Sequence, residues 1–165
     1  MTRQAPMWPG ILACLLGLGF TGFNVSWALG SPWLVDTVFP IRWVPTSEMS
    51  TTLNPLVQWL AIIAKTGAAL LGLVTITQIS ARLPTWLRRA ARILGWVAAG
   101  MITIWGATQT AWFSLAKAGV VRMPGDPWTS RAINGHAFLW DPWFLIWGGI
   151  LGYALWASRR TQEKA

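Results

Sequence analysis

Four long runs of apolar residues divide this chain, and polar segments separate one run from the next. A helix rises ~1.5 Å per residue, so ~20 apolar residues cross the ~30 Å hydrocarbon core of a bilayer. The pattern therefore predicts an all-α fold, a four-helix transmembrane bundle with spans over 8–29, 55–79, 93–116 and 138–157. No linker or internal repeat interrupts the pattern, so we expect a single integral-membrane domain over residues 1–165.

The connectors between the runs differ in length and chemistry. Two are long and contain several prolines and tryptophans, 30–54 and 117–141, and both lie at the same end of the predicted bundle. The third, 80–92, is short and basic, and Pro84 interrupts it. The pattern thus predicts two long Trp-rich extracytoplasmic loops that cover the outer end of the bundle.

Composition and charge support a location in the membrane. Hydrophobic residues make up 54% of the chain and charged residues only 11%, against ~25% charged in an ordinary soluble domain. Tryptophan, present 14 times, favours the membrane–water interface. The net charge of +8 comes from basic residues at the ends of apolar runs, so the predicted partner is the lipid bilayer and not nucleic acid.

The distribution of Lys and Arg predicts the orientation, because basic residues concentrate on the cytoplasmic side. One side of the predicted bundle holds Arg3, Arg82, Arg88, Arg89, Arg92, Arg159, Arg160 and Lys164. We therefore expect a multi-pass protein of the bacterial plasma membrane with cytoplasmic N- and C-termini. A signal peptide is the alternative for the first run, because small residues surround Leu29 at a plausible cleavage site. Cleavage there would leave the orientation of the other spans unchanged.

Three polar side chains inside the spans are the main candidates for function. Lys65 would cost ~2.5 kcal/mol or more at the centre of a membrane helix, unless other groups shelter it. Asn24 and Gln109 lie at similar depth from the outer ends of their runs. We expect the three to form a polar pocket open to the outside, where Lys65 holds an anion or pairs with Asp36 or Asp141. Alternatively, Lys65 extends along its own stem to the interface or forms a purely structural pair.

Catalytic and metal-binding signatures are missing from the sequence. His136 is the only histidine and Cys14 the only cysteine, so the sequence predicts no metal site and no cofactor. Asp141, just before Pro142, has the position of an N-cap, and it does not share an ordinary helix face cleanly with His136. The candidate ligand-binding residues are Lys65, Asn24, Gln109, Asp36, His136 and Asp141.

Two stretches carry a resemblance to a known family. SWALGSPW (26–33) and LWDPWFLIWG (139–148), followed by the basic pair at 159–160, resemble the end of the first helix and the start of the last helix in a family of small four-helix bacterial membrane proteins. The family is common in actinobacteria and is classed only as a domain of unknown function. The resemblance implies a fold and a membrane location, and it implies no established activity.

Three functions remain open on the sequence. The first is a non-enzymatic accessory or small-ligand-binding subunit, acting with a membrane-protein partner or as a homo-oligomer. The second is a small transporter or channel that uses Lys65 for an anionic substrate. The third, less favoured because catalytic motifs are missing, is a lipid-modifying enzyme with an acid or base from Asp36, Asp141 or His136.

Overall fold

The computed structural model describes residues 6–39, 55–123 and 128–162, and these ranges are all-α. Six α-helices are described: α1 (Trp8–Ala28), α2 (Pro55–Leu71), α3 (Thr77–Ser80), α4 (Thr85–Lys117), α5 (Ser130–Gly135) and α6 (Asp141–Gln162). Two 3-10 turns, Val35–Thr37 and Gly72–Thr75, follow α1 and α2. A π-helical turn, His136–Trp140, joins α5 to α6 without a break.

The four long helices α1, α2, α4 and α6 form a bundle in which neighbours along the chain run antiparallel. The ring of Trp8, at the start of α1, lies 6.1 Å from the ring of Tyr153 near the end of α6. Gly106 of α4 packs against the backbone of Leu145, and Gly95 packs against Leu155. Helix α6 contributes Trp147 and Leu151, and Trp140 directly precedes it. Each of the three is at most 2% exposed, so this segment supplies much of the buried core.

Three of the helical segments are long and apolar enough to cross a membrane: Trp8–Ala28, Leu56–Thr75 and Thr85–Lys117. Their outer faces expose large apolar side chains along their whole length, which a protein in water does not do over so large an area. Among them are Ile11, Leu15, Leu60, Ile63, Ile93, Val97 and Ile104. The chain is therefore a multi-pass membrane protein.

The fourth predicted span, 138–157, corresponds to a helix that is not among those three segments of the described chain. The apolar run of α6 lies between Asp141 and Arg159 and is shorter than the ~20 residues that cross a bilayer unaided. Side chains of α6 such as Trp147, Leu151 and Leu155 are buried against the other helices, so this helix needs less apolar sequence.

Two helix boundaries differ from the bounds of the predicted spans. Helix α4 begins at Thr85 and not at 93, because Pro84 closes the preceding turn and the arginines that follow are good helix formers. Helix α2 ends at Leu71 and continues as a 3-10 turn and the short α3, instead of one span to 79. The basic connector is accordingly shorter than expected, and Arg88 and Arg92 lie on the first turns of α4.

Small residues allow the backbones of α4 and α6 to come into direct contact. A Cβ added at Gly106 would overlap the backbone nitrogen of Leu145 and lie 2.8 Å from the carbonyl oxygen of Asp141. A Cβ at Gly148 would lie 2.6 Å from the backbone nitrogen of Thr103. The close contact fixes the position of Asp141, the first residue of α6, against α4.

The first outer connector packs onto the start of the last helical segment. A Cβ at Gly135 would overlap the carbonyl oxygen of Thr37. The indole Nε1 of Trp140 donates to Oγ1 of Thr37 at 3.0 Å, and Arg131 pairs with Asp36 at 2.9 Å. These contacts fix the described part of the first connector to α5 and to the π-helical turn. The predicted connector residue Trp43 lies outside the described residues.

Candidate functional site

A cavity of about 820 Å³ lies among the four long helices, in the half of the bundle near the C-terminal end of α1. Helices α2 and α4 form its two sides, and α6 with the end of α1 forms its floor. Five of the candidate residues line it: Asn24, Lys65, Gln109, His136 and Asp141. Asp36 does not; its carboxylate lies on the surface, paired with Arg131.

Lys65 is held inside the cavity by α1. Its Nζ donates to Oδ1 of Asn24 at 2.7 Å. The amide Nδ2 of Asn24 donates to the carbonyl oxygen of Phe20 at 2.9 Å, which turns the amide oxygen towards the lysine. The ammonium also lies 5.1 Å from the centroid of the Phe20 ring, a favourable distance for a cation–π contact.

The expectation that Asp36 or Asp141 balances Lys65 was wrong. Asp36 lies in the 3-10 turn that packs on α5, and it pairs with Arg131 instead. Asp141 pairs with His136. Among the described residues, no carboxylate forms an ion pair with Lys65, and its polar partner is the neutral amide of Asn24.

His136 and Asp141 lie on the same face of the helix because the turn between them is π-helical. Nδ1 of His136 lies 3.0 Å from Oδ2 of Asp141. A π-helix bonds residue i to residue i+5, the spacing of this pair. The expectation that residues five apart do not share a face was therefore wrong here. The backbone of Asp141 is helical, with φ −78° and ψ −39°, so Asp141 is not an N-cap.

The hydrogen bonds of His136 determine how the pair carries its proton. Nε2 lies 2.9 Å from the carbonyl oxygen of Val38, which only accepts, so Nε2 carries a hydrogen. Nδ1 faces the carboxylate, and one hydrogen lies between them.

The imidazole is also held by aromatic rings. The ring of Phe113 stacks on it, with centroids 4.2 Å apart and planes 10° apart. Trp128 meets it edge-on at 5.8 Å. Asp141 is 2% exposed, so the pair is a rigid, largely dehydrated group at the outer end of the cavity.

The sequence analysis missed Gln58, which also lines the cavity. It lies seven residues before Lys65 and so falls on the same helix face, two turns nearer the outer end. That seven-residue spacing is visible in the sequence and could have identified Gln58. Gln58 and Gln109 place carboxamides on the two opposite sides of the cavity.

Polarity changes along the length of the cavity. Its outer half carries Asn24, Gln58, Gln109, His136 and Asp141, and Lys65 lies at the boundary. Its inner half is apolar, lined by Phe20, Ala68, Ala98, Ile102, Phe144 and Trp147. The indole Nε1 of Trp147 is buried and has no hydrogen-bond partner among the described residues. Below Trp147 the core closes with Ala13, Ala69 and Leu151, none of which is exposed.

The fold and the cavity define a helical multi-pass membrane protein with a mixed polar and apolar internal chamber. Comparison of the chain with protein-family models, curated proteins and solved structures finds no match. The resemblance to the four-helix bacterial family therefore stays a prediction. Among the described residues, no three His, Cys, Asp or Glu side chains lie close enough together to hold a metal ion.

Proposed function

We propose that this chain is a non-enzymatic membrane protein that binds a small ligand in the cavity between α2 and α4. In this proposal all four long helices cross the bilayer, and both termini are cytoplasmic. The observation that carries it is the cavity itself, with the Lys65 ammonium inside a membrane-spanning helix and no carboxylate paired with it among the described residues.

The dimensions and chemistry of the cavity support the proposal. Ligand sites typically enclose ~300–1,000 Å³ and combine an apolar surface with a few polar groups; this cavity encloses about 820 Å³. Two of its polar side chains already have internal partners: Asn24 is fixed by Phe20, and His136 by Val38 and Asp141. Such a site is organised before the ligand arrives, which lowers the cost of binding.

A lipid-modifying enzyme is the second candidate, and the His136–Asp141 pair favours it because the pair lines the cavity. Both ring nitrogens of His136 are occupied, by Asp141 and by the Val38 carbonyl. The imidazole therefore has no nitrogen left for a ligand, and acid–base chemistry would depend on Oδ1 of Asp141 alone. This occupancy makes binding the better-supported function.

Native mass spectrometry of the protein released from mild detergent tests the proposal. We expect a retained non-protein mass at one copy per chain. Ala64→Trp, which fills the cavity from α2, should abolish the retained mass, because Ala64 lines the cavity. Ala107→Trp is the control, since Ala107 is an exposed residue of α4 outside the cavity lining. Wild-type protein without a stoichiometric mass, or Ala64→Trp that retains it, would overturn the proposal.

A further inference from the structure

We infer that the cavity binds an anionic single-chain amphiphile of the fatty-acid class, with its carboxylate at Lys65 and its alkyl chain in the inner half. This inference rests on the proposed function and specifies its ligand. Four observations carry it: the charge of the cavity, the form of its cationic group, its polarity along the bundle, and the side on which it opens.

The charge comes from the pairing of the ionisable groups that line the cavity. These are Lys65, His136 and Asp141, and the last two are paired with each other and not with Lys65. Lys65 adds one positive charge, balanced by no carboxylate among the described residues. A charge held in a membrane-spanning helix is costly until a counter-ion arrives, so an anion is the favoured occupant.

The cationic group matches a monoanion. An ammonium is a compact point charge with three donors, whereas phosphate sites commonly use the planar fork of arginine or several cations together. No arginine lines the described cavity. Of the three Lys65 donors, one is bonded to Asn24, which leaves two for the oxygens of one carboxylate. The amides of Gln58 and Gln109 line the same outer half.

The polarity of the cavity matches a molecule with a polar head and a long tail. From Lys65 outwards, the lining includes amide, imidazole and carboxyl groups among apolar residues such as Val38 and Trp140; from Lys65 inwards, it is only alanine, isoleucine and aromatic ring. A free carboxylate of low mass would occupy the outer half only and leave the apolar inner half empty. An alkyl chain fills that half and gains ~0.8 kcal/mol for each buried CH₂ group.

The cavity opens sideways, between α2 and α4, at membrane depth. Met101 and Trp105 of α4 line it and are 68% and 57% exposed, and Val57 of α2 lines it and is 61% exposed. Met101 lies near the middle of a helix long enough to span the bilayer, so the opening faces hydrocarbon. The ligand therefore enters from the membrane, in which an amphiphile is already dissolved.

Binding of defined probes to the delipidated protein in phosphatidylcholine nanodiscs tests the inference. We expect saturable one-to-one binding of oleate and at least tenfold weaker binding of oleyl alcohol, which has the same chain and no charge. Acetate and inorganic phosphate should not compete at millimolar concentration. Equal affinity for oleate and oleyl alcohol, or displacement of oleate by either water-soluble anion, would contradict the inference.

Variants at Lys65 provide a second test of the inference. Lys65→Met should weaken oleate binding at least tenfold and leave oleyl alcohol unchanged, whereas Lys65→Arg should retain most of the oleate affinity. Lys117→Met is the matched control, because Lys117 is a lysine outside the cavity that donates to Asn134. Unchanged oleate binding in Lys65→Met overturns the inference. If Lys65→Met does not fold, the comparison of oleate with oleyl alcohol on wild-type protein decides the question.

The two proposals fail in different ways. A retained one-to-one ligand that Ala64→Trp removes and oleate does not displace would refute the fatty-acid class and leave ligand binding standing. Absence of any retained ligand together with absence of oleate binding would refute both.

Discussion

Nδ1 of His136 and Oδ2 of Asp141 lie 3.0 Å apart across a π-helical turn. The carbonyl of Val38 accepts from the opposite nitrogen of the same ring, and Phe113 stacks on its face. The imidazole is thereby fixed in position, orientation and tautomer, and it joins the first outer connector to the last helical segment. A buried polar pair with all its donors satisfied makes the local structure specific.

The hydrogen on Nε2 of His136 is the first prediction. The chain has one histidine, so ¹⁵N-histidine labelling gives a spectrum that needs no assignment. We expect Nε2 to carry a hydrogen, because its partner is a carbonyl oxygen that only accepts. A neutral ring with its hydrogen on Nδ1 and none on Nε2 would contradict the structure.

Substitution of Asp141 extends this prediction to stability. Asp141→Leu leaves Nδ1 of His136 buried without its partner, which should lower the free energy of unfolding by about 1–3 kcal/mol. Asp141→Asn should cost less, because the carboxamide can donate to Nδ1 of a neutral ring. Unfolding of the purified variants in one detergent provides the measurement, and equal losses for the two would exclude the hydrogen bond as the cause.

The contact between α4 and α6 gives the second prediction. Gly106→Ala should destabilise the protein by about 1–3 kcal/mol, because the new methyl group would overlap the backbone of Leu145. Gly100→Ala, on the same helix with no atom within 4 Å of the added Cβ, should be stabilising by up to about 1 kcal/mol. Thermal unfolding in detergent compares the two. Similar midpoints would show that α4 and α6 are further apart than the structure has them.

Orientation in the membrane is the third prediction. In a variant with Cys14→Ala, which removes the only cysteine, new cysteines report which side is accessible. Arg122→Cys should react with a membrane-impermeant maleimide in intact cells, and Arg89→Cys only after permeabilisation, because the arginines around residue 89 favour the cytoplasm. Both positions are exposed in the structure. The reverse labelling would invert the proposed topology.

Apolar run length was enough to predict the four long helices, although only three segments of the described chain are long and apolar enough to cross a membrane. Depth counted along the runs placed Asn24, Lys65 and Gln109 at one level, and the three side chains line one cavity. Their role in ligand binding stays a prediction. The hydrogen bond from Lys65 to Asn24 joins residues 41 positions apart. It forms because α1 packs on α2, which the sequence pattern does not specify.

The π-helical turn was beyond the sequence argument. At 3.6 residues per turn, positions five apart point in different directions, so His136 and Asp141 were treated separately. Pro142 lacks the N–H that would bond to the preceding turn, and the helix widens just before it. The ion pair between Asp36 and Arg131 could not be predicted from the sequence either. It depends on the close packing of the first connector against Gly135, at the end of α5.

Below the cavity, Gly17 admits Trp147 and Ala69 so closely that a single methyl group would not fit between the helices. Among the described residues, the cavity is therefore closed at its inner end. Passage of a substrate across the bilayer would require α1 to separate from α2 and α6 at Gly17, whereas binding and release of a ligand in the cavity need no such movement.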